Sequence, residues 1–167
     1  RFFAAQAWLD GGWARDVLLS VGPDGCWAGV QPGASADQAQ GAQRLAGPVL
    51  PGLVNAHSHA FQRAIAGLTE RAGPAGSSDD FWSWRDRMYS VARRITPEQL
   101  EHIAAWLYAE LLAGGYTQVC EFHYLHQPAD ADGGDPLAMS LALVRAAQRV
   151  GMGLTLHLHV VQAGLAL

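Results

Sequence analysis

The rhythm of apolar and polar positions changes near residue 47. Before it, short strand-like runs, Phe2 to Leu9, Trp13 to Val21 and Cys26 to Val30, are separated by Asp10-Gly11-Gly12 and Gly22-Pro23-Asp24-Gly25, a hairpin arrangement. A stretch of Gly, Ala, Gln and Ser from Gln31 to Gln43 shows no periodicity and reads as a loop or weakly ordered connection. These features divide the chain into a β-rich segment, residues 1–47, and a second region, residues 48–167.

In the second region, Val49 to Ala56 is a short apolar run ending in a polar cluster, which predicts a buried strand. A helix is predicted over Phe61 to Ala66. The Gly/Pro/Ser-rich stretch Gly73 to Ser78 predicts a loop, and Asp79 can cap a helix that runs to about Arg94. The strongest helix signal follows. Thr96 at N-cap, Pro97 at N1 and Gln99 at N3 form a capping box, and Leu100, Ile103, Leu107 and Leu111 recur at helical spacing until Gly114-Gly115. Tyr116 to Tyr124 predicts a second strand. Asp135-Pro136 opens a helix that runs to Val150 and stops at Gly151, and Gly153 to Val161 predicts a third strand. Helical crossovers between short apolar strands imply an α/β fold with a parallel sheet and right-handed connections. Three strands do not distinguish an open sheet from the start of a barrel.

Composition narrows the partners. The 167 residues amount to about one domain, and a hydrophobic content of 50% is enough for a core. All 11 basic residues are Arg, and the net charge is −4 with a pI near 5.9. That balance offers no basic footprint, so neither nucleic acid nor an anionic membrane is expected as a partner. No apolar run approaches the roughly 18 residues of a membrane span, and Arg1-Phe2-Phe3 starts too short a run for a signal peptide, so a cytoplasmic protein is expected. Cys26 and Cys120 are far apart and are expected to be reduced and buried. A closed eight-stranded (β/α) barrel needs about 200 to 250 residues, so this chain can hold only part of one.

His57 and His59 stand two apart where the first strand of the second region ends, and the period of two in extended chain points both imidazoles to one side. One metal ion suits that geometry, and so does a pair of histidines satisfied by backbone carbonyls. The spacing alone is weak, because His157 and His159 repeat it inside the third strand, where a structural explanation fits better. The first pair has the better context, at the C-terminal end of a strand, where α/β proteins place their sites.

The string Leu50-Pro51-Gly52-Leu53-Val54-Asn55-Ala56-His57-Ser58-His59 resembles the signature of the amidohydrolase superfamily, in which both histidines bind metal after barrel strand one. Further runs are similar to its formimidoylglutamate deiminase family: Ala60 to Ala64, Gly67 to Glu70, Phe81 to Arg85, Met88-Tyr89 and Glu121 to His126. The likeness covers roughly residues 47–156. It implies the first part of a (β/α)8 TIM-type barrel, about three βα units and therefore incomplete, preceded by a β-sandwich segment. It also implies hydrolysis of N-formimino-L-glutamate to N-formyl-L-glutamate and ammonia.

For individual residues the resemblance implies Zn²⁺ held by His57 and His59, one ion per subunit, with other divalent metals as alternatives. Gln62 would face the formimino end of the substrate, although it also reads as a solvated helix residue. Arg85, steadied by Trp82 and Trp84, and Tyr124 would grip a small-molecule substrate with two carboxylates; a surface Arg beside two core aromatics is the plainer reading of Arg85. Glu121 and His123 are candidates to orient the metal site. The remaining metal ligands and the catalytic acid/base are expected beyond Leu167, in a homodimeric parent, and the residues after Leu156 depart from the family pattern. The alternatives are another amidohydrolase, imidazolonepropionase-like or a ring deaminase, and an inactive fragment that only binds metal.

Overall fold

The computed structural model describes residues 1–69, 80–126 and 135–158, and the chain divides into two compact units, Arg1–Pro51 and Gly52–Leu167. In the first unit, β1 (Phe2–Leu9), β2 (Gly12–Val21), β3 (Trp27–Gln31) and β4 (Gln43–Arg44) form one sheet in the order β3-β2-β1-β4. The β1–β2 hairpin turns through Asp10 and Gly11, both at positive φ (49° and 83°), which glycine adopts without steric cost. Ala7, Val17 and Leu19 make its small core. The sequence pattern does not anticipate β4, which pairs parallel to β1 after the low-complexity stretch.

Val49 also belongs to this unit. Its N–H donates to Gln6 and its carbonyl accepts from Trp8, both at 2.9 Å, so the division between units falls after Pro51 rather than near Gly47. The expected buried strand from Val49 to Ala56 is accordingly shorter and more exposed. β5 runs over Leu53–Ser58, Leu53 and Val54 are 53% and 61% exposed, and among the described strands β5 has one neighbour, β6. Gly52 precedes it where a Cβ would lie 2.1 Å from the Thr117 hydroxyl, so the approach of the two strands requires glycine.

The rest of the second unit is a 3₁₀ turn (Ala60–Ile65), α1 (Phe81–Ala92), α2 (Pro97–Ala113), β6 (Tyr116–His123), α3 (Ala138–Val150) and β7 (Gly153–Leu158). The sheet is parallel throughout, in the order β5-β6-β7, as the crossover pattern predicts. The helix expected over Phe61 to Ala66 is the 3₁₀ turn, closed by Gln62 N–H to the His59 carbonyl at 3.0 Å. Asp80 caps α1, accepting from Trp82 and Ser83 N–H at 3.0 and 2.9 Å; Asp79 lies outside the described residues, and the helix stops at Ala92 rather than Arg94. The Thr96–Gln99 capping box of α2 is present as read. His159, the residues beyond it, and the loop expected over Gly73 to Ser78 lie outside the described residues.

The seam between α2 and α3 differs from the leucine stripe. The most buried α2 positions are Leu100, Ala104, Ala105 and Tyr108, while Ile103, Leu107 and Leu111 are half-buried. Alanines are buried on both helices, Ala104 and Ala105 on α2 and Ala142, Ala146 and Ala147 on α3, while Ile103, Leu107 and Leu111 pack at the edge of the same core. The cysteines also depart from expectation. Cys26 is exposed, in a turn closed by Gly22 N–H to its carbonyl at 2.8 Å, and Cys120 is only half-buried, on the β6 face opposite Val119 and Glu121. Among the described residues no helix is long and apolar enough to cross a membrane.

Candidate active site

Strand alternation assigns the side chains of β6 to two environments. Val119, Glu121 and His123 are buried against the helices, and Phe122 projects from the other face. On that second face the Phe122 ring lies 5.4 Å from His57 and 5.6 Å from His59, and 4.9 Å from His157 of β7. His157 thus shares the surface of the first pair through one aromatic neighbour.

The structure brings His57 and His59 together as their spacing predicts. Their Nε2 atoms are 3.0 Å apart, with the rings edge to face. His59 Nδ1 lies 2.8 Å from the Phe122 carbonyl. A carbonyl only accepts, so Nδ1 carries the proton and Nε2 of the neutral ring is left with a lone pair. Metal-binding histidines are held in this way, with one nitrogen donating to a carbonyl and the other free to coordinate. Two nitrogens converging at this separation fit one ion at an ordinary Zn–N length of about 2.0–2.1 Å. Among the described residues no group of three His, Cys, Asp or Glu side chains is placed to hold a metal.

Beside His59 lies a wall of mixed polarity. The Tyr124 ring is 5.0 Å from His59 and 5.4 Å from Phe61, and its hydroxyl accepts from Gln62 Nε2 at 3.4 Å. Met88 Sδ, from α1, is 3.4 Å from Gln62 Nε2 and 3.9 Å from the Tyr124 hydroxyl, and beneath them Met88 is buried. Burial raises the Tyr124 phenol above its ordinary range, against the stabilising hydrogen bond from Gln62. The turn that carries Gln62 is tied to α2 by Arg63, whose Nε and Nη2 donate to the Glu110 carboxylate at 2.7 and 2.8 Å. That bidentate contact, with Trp106 also donating, holds Glu110 down to about 2.

Arg85 lies one turn before Met88 on α1. Its guanidinium stacks over Trp82 at 5.5 Å and over Tyr89 at 5.2 Å. Of the two tryptophans expected to steady it, Trp82 does so; Trp84 packs against the core, and Tyr89 takes its place. The contacts of Arg85 are thus with rings of its own helix, one turn before Met88.

Glu121 and His123 do not touch the imidazoles, because both face the helices. Glu121 Oε1 accepts the Ala60 N–H at 2.6 Å, and Oε2 accepts from the Tyr108 hydroxyl at 3.5 Å. Burial pushes this carboxyl above the usual range, opposed by the bonds from Ala60, Ser58 and Tyr108. His123, 3% exposed with Nε2 unpartnered among the described residues, is held down to about 4 by burial and then by neighbouring His126. Sequence reasoning missed Met88 and Tyr108 as parts of the site. Met88 stands three residues past Arg85 on one helix face, and Tyr108 extends the Leu100–Ala104 row by one turn, which are the signals that could have found them.

Comparison with known proteins agrees with this arrangement. Residues 49–163 match the family model described as "Amidohydrolase family". The chain is 52% identical over 155 residues to formimidoylglutamate deiminase of Pseudomonas aeruginosa, covering 92% of this chain and 33% of that protein. Among solved structures, an amidohydrolase from Brucella melitensis superposes with a TM-score of 0.82 at 42% identity, covering 93% of this chain and 34% of that one. The zinc complex of atrazine chlorohydrolase from Arthrobacter aurescens superposes with a TM-score of 0.65 at 18% identity, covering 95% of this chain and 35% of that one, which shows a shared fold. The chain spans about a third of the length of the relatives it matches. With its H-x-H pair at the end of the first strand of a parallel α/β sheet, and with more than half of its length matched by the family model, this chain belongs to the amidohydrolase family.

Proposed function

We propose that the full-length protein hydrolyses N-formimino-L-glutamate to N-formyl-L-glutamate and ammonia, with this chain supplying the first metal ligands and one wall of the substrate site. The observation that carries the reading is the convergence of His57 and His59 Nε2 atoms, one tautomer fixed, beside the Gln62–Tyr124 pair. The 52% identity to a formimidoylglutamate deiminase supports the choice of substrate. In the reaction water adds to the formimino carbon, a C–O bond forms, and the terminal C–N bond breaks to release ammonia.

His57 and His59 would hold zinc through Nε2, and zinc bound there supplies a Lewis acid that makes water a nucleophile near neutral pH. Gln62 offers an amide that both donates and accepts, suited to an amidine that does the same. Its bond to Tyr124 is long, 3.4 Å, and its other contact is to a thioether sulfur, a weak acceptor, so the amide can turn to substrate at little cost. Tyr124 presents a protonated hydroxyl to a carboxylate. Arg85, its plane already ordered between Trp82 and Tyr89, offers the charged fork for the same end of the ligand. We further propose a homodimer acting in the cytoplasm on this free dicarboxylate.

The test is ammonia release from N-formimino-L-glutamate by the full-length protein, with Arg85→Ala beside the wild type. Removal of a charged carboxylate contact predicts a KM higher by about 10- to 100-fold with kcat less affected. An unchanged KM removes Arg85 from the substrate site, and absence of ammonia release in the zinc-loaded wild type refutes the reaction.

A further inference from the structure

The buried face of β6 holds a carboxylate whose contacts lie on both sides of one metal-ligating residue. Glu121 is 2% exposed. Its Oε1 accepts from the backbone N–H of Ala60, directly after His59, at 2.6 Å, and the hydroxyl of its cross-strand partner Ser58, directly before His59, favours its charged form. The next residue of the strand, Phe122, accepts His59 Nδ1–H through its carbonyl at 2.8 Å. Two consecutive residues of β6 thus hold one residue of the neighbouring chain segment: the side chain of Glu121 holds the backbone around His59, and the backbone of Phe122 holds its ring.

The arrangement matters because β5 has already ended. The ladder between β5 and β6 shifts register between Asn55 and Ser58, and Ser58 opposite Glu121 is its last pair. From there no regular strand pairing fixes the backbone at His59, whose φ of −129° and ψ of 84° belong neither to the strand nor to the following turn. Without another tether, the imidazole could not be aimed by the Phe122 carbonyl alone. Tyr108, buried in α2, reaches the second oxygen at 3.5 Å and ties the carboxylate to the helical layer.

We infer that Glu121 is a positioning residue for the metal ligand His59, acting through the Ser58 hydroxyl and the Ala60 N–H rather than by touching metal or substrate. The inference rests on the metal reading of His57 and His59 proposed above. It predicts that the hydrogen-bonding shape of the side chain matters and that its charge matters little. In Glu121→Gln the amide oxygen still accepts from Ala60, while the NH₂ donates to Ser58 and Tyr108, whose hydroxyls can accept.

The experiment uses the full-length protein, stripped of metal, as wild type, Glu121→Gln, Glu121→Ala and Ser58→Ala. Zinc affinity is measured by chelator competition, and the tautomer of His59 by ¹⁵N chemical shifts of its ring in the apo protein. The expected result for Glu121→Ala is a His59 tautomer mixture and zinc binding weaker by about 10- to 100-fold, with Glu121→Gln within about threefold of wild type and Ser58→Ala between them. If Glu121→Ala proves too unstable to isolate, Ser58→Ala still removes one arm of the clamp and must weaken zinc binding. Unchanged zinc affinity and a single His59 tautomer in folded Glu121→Ala or Ser58→Ala overturn the inference and leave the metal reading intact. A Glu121→Gln protein as impaired as Glu121→Ala overturns it too, since charge would then be what counts. Wild type that binds no zinc overturns the metal reading and the inference with it.

Discussion

Replacing His123 with phenylalanine should remove an acid-sensitive component of stability. His123 is 3% exposed, its Nε2 has no partner among the described residues, and burial together with His126 holds its pKa down to about 4. In the unfolded chain it titrates near 6.5. Between those values the unfolded state binds the extra proton, so stability is fully present above pH 6.5 and is lost as pH falls toward 4. A drop of this size is worth about 3 kcal/mol at completion, of which about 2 kcal/mol falls between pH 7.5 and 5.0. Glu121 works in the opposite sense: its raised pKa means the folded state binds the extra proton, so its contribution weakens as pH rises through the window. Both proteins share Glu121, and the difference between them isolates His123. Phenylalanine keeps a ring against His126, 4.9 Å away between centroids. Urea unfolding of wild type and His123→Phe at pH 7.5, 6.0 and 5.0 should show the wild type losing about 2 kcal/mol more than the variant. Parallel pH profiles, or an NMR titration of His123 near 6.5, would refute the reasoning.

Other substitutions probe packing, capping and the site separately. Leu143→Ala, at a fully buried α3 position, should cost about 2–5 kcal/mol in denaturant unfolding, since the helix seam is close-packed on all sides. Thr96→Ala removes the acceptor for Gln99 N–H at 3.2 Å and should cost about 1 kcal/mol in the same assay. Met88→Leu conserves volume, so stability should change by less than about 1.5 kcal/mol, while KM rises because Gln62 and Tyr124 lose the sulfur they rest on. Chelation of the full-length protein should abolish ammonia release, and zinc should restore it; activity that survives exhaustive chelation counts against the metal reading.

What could be read from the chain follows the range of the interactions involved. The α2 capping box joins residues three apart, and both of its bonds are present. The parallel order β5-β6-β7 follows from helical crossovers, which are also local in sequence. The exposure of β5 could not be read in this way. An apolar run such as Leu53-Val54 is equally compatible with a central and an edge strand, and only the number of neighbours decides. The α2 stripe fails for a related reason: leucine spacing marks an apolar face, but which of its positions are most buried depends on residues of other elements in the same core, among them Met139, Ala142, Leu143, Ala146 and Ala147 of α3.

At the site the same distinction separates the two histidines from what holds them. H-x-H is a two-residue pattern, and strand geometry alone puts both rings on one side. The tautomer of His59 depends on Phe122 and the backbone at Ala60 on Glu121, more than sixty residues along the chain. Both depend on the register of β6 against β5. Slipping β6 by one residue would turn Glu121 toward the histidines and Phe122 into the helical layer, since successive side chains alternate between faces. The helix-facing pattern at Val119, Glu121 and His123, with Val119 fully buried in the core and Tyr108 reaching Glu121, opposes that slip. Packing against α2 and α3 therefore does more than stabilise the sheet: it selects the one register in which a carbonyl meets His59 Nδ1 and leaves Nε2 free to coordinate.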